Sequence, residues 1–299
     1  MTLDKKHTAS MKKSRRVSNT VIFILLLILA FLALVPILFV VLTAFKTDPE
    51  ISLAGFKWLP SSLNFDSFRM AFQMGDWGRY FFNSLVITAI TVIGSLIFNS
   101  LAGFAFARLK FRGKNILFVL LLMGMMVPPQ SIIIPQFVMM RSVPFMGGND
   151  WMGQGGTGML DSYASLIIPF LAGSYGIFLC RQFYTGFPTA LDDAARIDGC
   201  SPIRMYVSIY LPLSKQVLST LIILKSVSTW NDFFYPLIMT QSEKMKTVQL
   251  ALQMFKGSTT THYNWLMAAT LMTALPMIVV FLCAQKYFVQ GIVSSGMKN

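Results

Sequence analysis

The sequence predicts an all-α integral membrane protein with six transmembrane helices, from its composition, its apolar runs and the placement of its basic residues. Of 299 residues, 55% are hydrophobic and only 12% charged, and mean hydropathy is +0.61. One soluble core could not hide that much apolar surface. Runs free of Asp, Glu, Lys and Arg cover 17–45, 80–107, 115–140 and 162–180. Each is near the roughly 20 residues that cross a bilayer as a helix. Two further segments, at about 216–239 and 263–285, complete the set, and Lys225 and Asp232 interrupt the first of them. If the amino terminus is cytoplasmic, cytoplasmic segments hold 16 basic residues and the opposite side eight. That asymmetry places both termini in the cytoplasm.

Residues 1–16 read as a basic cytoplasmic tail. KKSRR before an apolar run has the look of a secretory leader, but the run is about twice the usual apolar region of one and has no small-residue cleavage site. Residues 17–45 are therefore expected to stay as the first transmembrane helix. In the extracytoplasmic segment 46–79, Pro49 and Pro60 break the chain, while Phe65, Phe68 and Phe72 recur at helical spacing. A short helix lying along the membrane surface is expected there. Trp58, Trp77, Trp151 and Trp265 fall near the outer ends of spans, where an aromatic belt forms.

Residues 80–290 form the core, with a cytoplasmic loop at 182–215 and a cytoplasmic tail at 291–299. Pro128, Pro129 and Pro135 interrupt the third span, and Pro169, Pro236 and Pro276 fall in later ones. Broken helices need backbone partners inside a bundle, so these positions either line a cavity or are packing kinks. Lys225 and Asp232 lie two helical turns apart, about 10 Å along an axis, too far for direct pairing. Lys225 is expected to snorkel toward the cytosol or to serve the pathway, and Asp232 to bond a neighbouring helix or to serve it.

Several chemistries have no residues to support them. The stretch 147–158 is Gly-rich but lacks the G-K-[ST] ending of a phosphate loop, and it is expected to be a flexible external loop. No such loop occurs elsewhere, so this chain is not expected to bind ATP in that way. The net charge of +13 is accounted for by topology rather than by nucleic acid. Cys180, Cys200 and Cys283 imply no disulfide framework, and His7 with His262 make no metal-ligand set.

The segment 188–213 carries unusually complete helix punctuation. Pro188 and Thr189 suit a helix start, and Asp192, three residues after Thr189, has capping-box spacing. Asp192 and Asp193 lie where the helix dipole favours anions. Leu191, Ala194, Ala195 and Asp198 share a narrow face whose small side chains let another surface approach. Gly199 suits a left-handed stop, and Ser201 with Pro202 starts a second helix.

DAARIDG at 193–199, followed by nine residues and then Ile209, Leu211 and Pro212, resembles the EAA motif of importer permeases in the ATP-binding-cassette superfamily. Asp193 stands where the motif has Glu, one methylene shorter with the same charge. The strings 230-WNDFFYPLI-238, NSL at 83–85, PPQSIIIPQF at 128–137 and QKYFVQGIVSSGMK at 285–298 resemble carbohydrate permeases of the maltose-permease-like, binding-protein-dependent kind. The matches spread from about residue 60 to the end.

The resemblance implies a five-helix core bundle plus one amino-terminal helix, with a cytoplasmic coupling helix pair between helices 4 and 5. It implies a non-enzymatic permease in the cytoplasmic (inner) membrane of a bacterium or archaeon. Its partners would be a second related permease, an ABC ATPase dimer and an extracytoplasmic solute-binding protein. This chain would bind no cofactor, ATP and Mg belonging to the ATPase, and a carbohydrate would cross. Leu191, Asp192, Asp193, Ala194, Ala195, Arg196, Asp198 and Gly199 would couple to the ATPase. Asn83, Asn231, Asp232, Phe233 and Tyr235 would line the substrate pathway, since sugar hydroxyls suit Asn and Asp and sugar faces suit aromatic rings. The loop 255–265 would probe the binding protein. A non-sugar cargo, an ion-coupled secondary transporter using Asp232, and a membrane scaffold are the alternatives.

Overall fold

A computed structural model describes residues 3–52, 57–256 and 261–296. Their regular secondary structure is helical, apart from an isolated bridge between Lys256 and Thr261. Residues 257–260 of the expected probing loop and 297–299 of the expected tail lie outside them.

The chain divides into two compact units. The first takes residues 1–74 and 255–272, with α1 (Leu3–Ala44), α2 (Asp48–Ser52), α3 (Asp66–Gln73) and the opening turns of the final helix. α1 starts at Leu3, so the basic segment is helical and continuous with the first span. Phe45, Phe65 and Phe68 form an aromatic cluster with centroids 5.3–6.2 Å apart, whereas Phe72 is exposed. The Glu50 carboxylate accepts the backbone N–H groups of Thr47 and Ser61, each at 2.8 Å. Hydrogen bonds from Ser61 and Thr47 pull its pKa down to about 2.

The second unit takes residues 75–254 and 273–299. Its backbone is α4 (Trp77–Arg108), packed most extensively on α8 (Ser174–Thr185) and then on α12 (Lys215–Trp230). Ser84, Thr88, Thr91, Ser95 and Asn99, spaced three and four apart, turn a polar stripe of α4 into the bundle. Gly103 lets α4 and α8 meet: a Cβ there would lie 2.4 Å from Cys180 Cβ. Trp77, expected in an interface belt, is instead buried beside Tyr80 and Phe81.

Four described helices are long and apolar enough to cross a membrane: Ser18–Ala44, Trp77–Arg108, Tyr163–Thr185 and Tyr263–Lys286. The third of these joins α7 (Tyr163–Ile167) to α8, and the fourth belongs to α15 (Tyr263–Gly296). Two bent pairs raise the number to six if each pair is one span.

The expected third span, 115–140, is not one helix. α5 (Lys114–Gly124) and α6 (Pro129–Arg141) meet at 103°. Pro128 is extended and Pro129 opens α6, and a proline pushes the residue before it out of the helical region. α5 alone is about 16 Å long, half of the roughly 30 Å hydrocarbon core.

The expected fifth span, 216–239, is also broken. α12 ends at Trp230, the chain turns through 231–233, and α13 (Phe234–Met239) follows. Pro236 has no N–H to continue the ladder, and Asp232 Oδ1 accepts the Tyr235 N–H at 3.2 Å instead. At its other end α12 bends by 78° from Pro202–Leu213.

The Gly-rich loop is knitted rather than loose. Asn149 donates to the Arg141 and Val143 carbonyls at 2.7 and 2.9 Å and accepts the Gly156 N–H at 2.8 Å. Asp161, beyond the loop, accepts the N–H groups of Gln241 and Ser242 at 2.9 and 3.0 Å. Burial raises its pKa, but these backbone hydrogen bonds outweigh burial and hold it below the usual carboxylate value.

Candidate functional site

Two places bring the chemistry of the sequence together, a short helix bolted to the bundle and a small charged cavity.

The short helix is α9 (Ala190–Ile197). Its stop is a Schellman turn: the Gly199 N–H reaches Arg196 O at 3.0 Å and the Cys200 N–H reaches Ala195 O at 2.9 Å. Gly199 has φ +69°, and no atom lies within 4 Å of where a Cβ would be. Glycine is needed there for its backbone alone. Ser201 Oγ accepts the Arg204 N–H at 3.3 Å, and Pro202 opens α10 (Pro202–Met205). A π-helical turn over Tyr206–Tyr210 and the short α11 (Leu211–Leu213) lead to α12.

The helix start differs from the expected capping box. Thr189 makes no side-chain cap, and Asp192 turns inward. Its Oδ2 lies 3.3 Å from Arg108 Nη1 at the end of α4, and its Oδ1 accepts the Tyr210 hydroxyl. Arg108 also donates to the carbonyls of Tyr184 and Phe187 at 2.7 and 2.5 Å, and its guanidinium lies 5.3 Å from the Tyr210 ring centroid. The two charged side chains are 6% and 9% exposed. Phe104, Tyr184, Phe187 and Tyr210 box this pair in with edge and tilted ring contacts of 5.0–6.3 Å. The dry box strengthens the attraction, and the added hydrogen bonds offset the cost of desolvating both ions.

That anchor divides the predicted coupling residues. Asp192 and Ala195 are buried and Leu191 is half-buried. Asp193, Ala194, Arg196, Asp198 and Gly199 face outward, with Ile197 86% exposed beside them. The expected face of Leu191, Ala194, Ala195 and Asp198 is therefore split between the two sides. Arg196 and Asp193 approach to 3.9 Å on the surface, a contact worth little. Arg108, Tyr184 and Tyr210 were not among the predicted residues. Arg108 read as one more basic residue at a span end, and nothing in spacing links it to Asp192, 84 positions away.

The cavity, about 30 Å³, is lined by Ser84, Phe170, Lys225, Thr229, Asp232 and Tyr235 among others. Lys225 does not snorkel: its Nζ lies 5.2 Å from the Phe170 ring centroid. No ion pair within 4 Å joins Lys225 to Asp232 among the described residues. The Tyr235 ring packs edge-on to Phe170 at 4.7 Å, and its buried hydroxyl has no described partner.

Of the predicted pathway residues, only Asp232 and Tyr235 meet here. Asn83 is buried and fully engaged: it donates to Lys244 O and Lys246 O at 2.9 and 2.8 Å and accepts from Tyr163 at 2.6 Å. Asn231 is exposed and accepts from Gln249 at 3.0 Å, and Phe233 packs on Phe234 at 5.4 Å. Trp230, from the same string, donates to Thr273 O at 3.0 Å and holds α12 on α15.

A polytopic helical bundle with broken spans, an interior charge pair and a bolted peripheral helix defines a membrane transport subunit. The profile of the family described as "Binding-protein-dependent transport system inner membrane component" matches residues 99–294. The arabinooligosaccharides transport system permease protein AraQ of Bacillus subtilis (strain 168) is 33% identical, covering 95% of this chain and 96% of its own. The melibiose/raffinose/stachyose import permease protein MelC of the same organism is 30% identical, covering 97% and 100%. A crystal structure of a bacterial ABC transporter that imports the acidic polysaccharide alginate contains a chain of the same fold, with TM-score 0.76, 23% identity and coverage of 92% and 98%.

The chain belongs to the binding-protein-dependent transport system inner membrane component family. It is a multi-pass inner-membrane permease subunit of an ABC importer and not an enzyme. ATP hydrolysis belongs to a separate subunit, and a solute-binding protein serves the transporter.

Proposed function

We propose that this chain is one of two related permease subunits of an ATP-driven importer that carries a sugar or oligosaccharide inward by alternating access. Six spans are counted, the third formed by the bent pair α5 and α6 and the fifth by α12 with α13, both termini are cytoplasmic, lipid surrounds α1, and ATP with Mg resides on an ABC ATPase dimer. The cargo follows the printed names of AraQ and MelC, at 33% and 30% identity over nearly the whole chain. A binding protein delivers it from outside. α9 and α10 are the coupling pair that passes ATPase closure to the bundle.

The observation that carries this reading is the two-sidedness of α9. Its inner side is bolted by Asp192 to Arg108 and Tyr210, so a push on α9 reaches α4 without slack. Its outer side offers Asp193, Ala194, Arg196 and Ile197 to a partner, with Ile197 a large apolar group left 86% exposed among the described residues. Asp232, Tyr235 and Lys225 are the pathway residues, because interior charge not joined in an ion pair is free to meet a polar solute.

The test is a mild-detergent pull-down of the tagged chain and of Gly199→Asp from native membranes, with ATP-dependent uptake measured in parallel. An ATPase and a second permease retained by the parent, and the ATPase lost from the variant, are expected. Unchanged uptake by the variant would refute the coupling role.

A further inference from the structure

The loop between α4 and α5 holds Lys110 and Arg112, Lys114 opens α5, and Arg181 of α8 adds to the field at Lys114. Among the described residues no carboxylate lies within 4 Å of any of the four. Lys110 and Lys114 line an open cleft of about 500 Å³ whose apolar walls are Leu109, Phe111 and Ile116. The Lys114 ammonium is placed at this cleft by contacts to Leu109 O at 3.0 Å and Ala107 O at 3.4 Å. Those use two of its three N–H groups and leave one to meet a ligand. Arg181 is fixed nearby, with its guanidinium 3.9 Å from the Phe118 ring centroid and Nε bonded to Phe106 O at 3.3 Å.

Such charge without counter-charge calls for an anion, and the walls say which kind. Ile116, 68% exposed, begins an apolar face that runs along α5 through Leu117, Leu120 and Met123, all exposed. A phosphate in the cleft would lay its acyl chains on that face. A solvated protein partner would leave the same face uncovered.

We infer that the cleft between Lys110 and Lys114 is a binding site for the headgroup of an anionic phospholipid. Basic pockets at the ends of transmembrane helices attract such headgroups, with roughly fivefold in affinity per cation near the surface. The site also adjoins Arg108, whose charge reaches Lys114, so headgroup occupancy bears on the anchor of α9.

The test uses the full transporter purified in detergent, delipidated, and titrated with phosphatidylglycerol or phosphatidylcholine while bound lipid is counted by native mass spectrometry. Tighter retention of phosphatidylglycerol is expected. It should weaken roughly fivefold in Lys114→Gln and further in Lys110→Gln/Arg112→Gln/Lys114→Gln, and persist in Lys114→Arg. Should the triple variant misassemble, Lys114→Gln, checked for monodisperse elution, carries the comparison alone. Equal binding of the two lipids, or phosphatidylglycerol retained in full by the glutamine variants, would overturn the inference. So would competition by inorganic phosphate alone at equal concentration, which would mark a free-phosphate site. Loss of the ATPase from the glutamine variants with lipid unchanged would place the cluster at a protein interface instead. No transport step enters the assay, so failure here leaves the proposed function standing.

Discussion

Arg108 with Asp192, and Lys225 with Asp232, are two acid–base couples in one bundle with opposite character. In the first, both Asp192 oxygens are bonded, the guanidinium spans two carbonyls and a carboxylate, and aromatic rings exclude water. In the second, no ion pair forms, the two charges share a small cavity, and the Tyr235 hydroxyl beside them has no described partner. Arg108 Nε has no described partner, but the couple is joined by an ion pair and several hydrogen bonds, whereas Asp232 has one backbone hydrogen bond from Tyr235 and no ion pair. A buried couple joined in this way holds structure together, and one not so joined is disposed to act on something else. Stability should therefore depend on the first and transport on the second.

The largest effect expected is on the ion-paired couple. Arg108→Ala leaves Asp192 charged, buried and alone, and should destabilise the protein by roughly 3–5 kcal/mol. Replacing both partners by apolar residues, Arg108→Met with Asp192→Leu, should recover much of that. A double-mutant cycle by thermal unfolding in detergent checks it, and purely additive losses would mean that the two side chains do not act as a pair.

The open couple should behave the other way. Lys225→Met and Asp232→Asn should unfold within about 1 kcal/mol of the parent, while uptake by reconstituted vesicles falls about tenfold or more, the scale of a lost hydrogen bond to a charged group. If either variant collapses in stability and keeps its uptake per folded molecule, the contrast is wrong.

A smaller effect on stability is expected at Gly199, where within this chain only backbone strain is at stake and the outer side is left to the partner. Gly199→Ala should cost about 1–2 kcal/mol and Gly199→Asn less, because Asn tolerates the left-handed region and open space surrounds the position. Equal losses for Ala and Asn would point to a contact rather than to φ.

The smallest effect lies outside both couples, at Glu50. Its folded pKa of about 2 lies below the ordinary 4.5, so its contribution is present above pH 4.5 and disappears as pH falls toward 2. Unfolding temperature followed over that window should drop more steeply for the parent than for Glu50→Gln. Parallel curves would deny the carboxylate its capping role.

The contrast also explains what was legible in the sequence. The left-handed stop at Gly199 and the cap at Ser201 with Pro202 depend on neighbours a few residues away, and both were readable. Asp192 also had a local reading, as a cap, but a partner 84 positions distant in Arg108 outcompeted it. Asn83 looked like solute-binding chemistry by residue type, yet it spends its polar atoms on two backbone carbonyls and the Tyr163 hydroxyl of distant segments. The bends after Gly124 and Trp230 were signalled by Pro128, Pro129 and Pro236, but the angle of a break depends on what the freed segment packs against. The glycines at 147–158 suggested looseness. Asn149, which ties Gly156 to the carbonyls of Arg141 and Val143 before the stretch, makes it ordered.

The most direct test of the central claim is crosslinking from the outer face of α9. With the native cysteines replaced, Ile197→Cys in the purified transporter would be challenged with a short bifunctional thiol reagent against single cysteines placed along the ATPase subunit's surface. The account predicts a crosslink between Ile197→Cys and the ATPase whose yield changes on adding ATP, and none from a cysteine at buried Ala195. A crosslink from position 195 but not from 197, or none from either in a transporter that still hydrolyses ATP on demand, would contradict it.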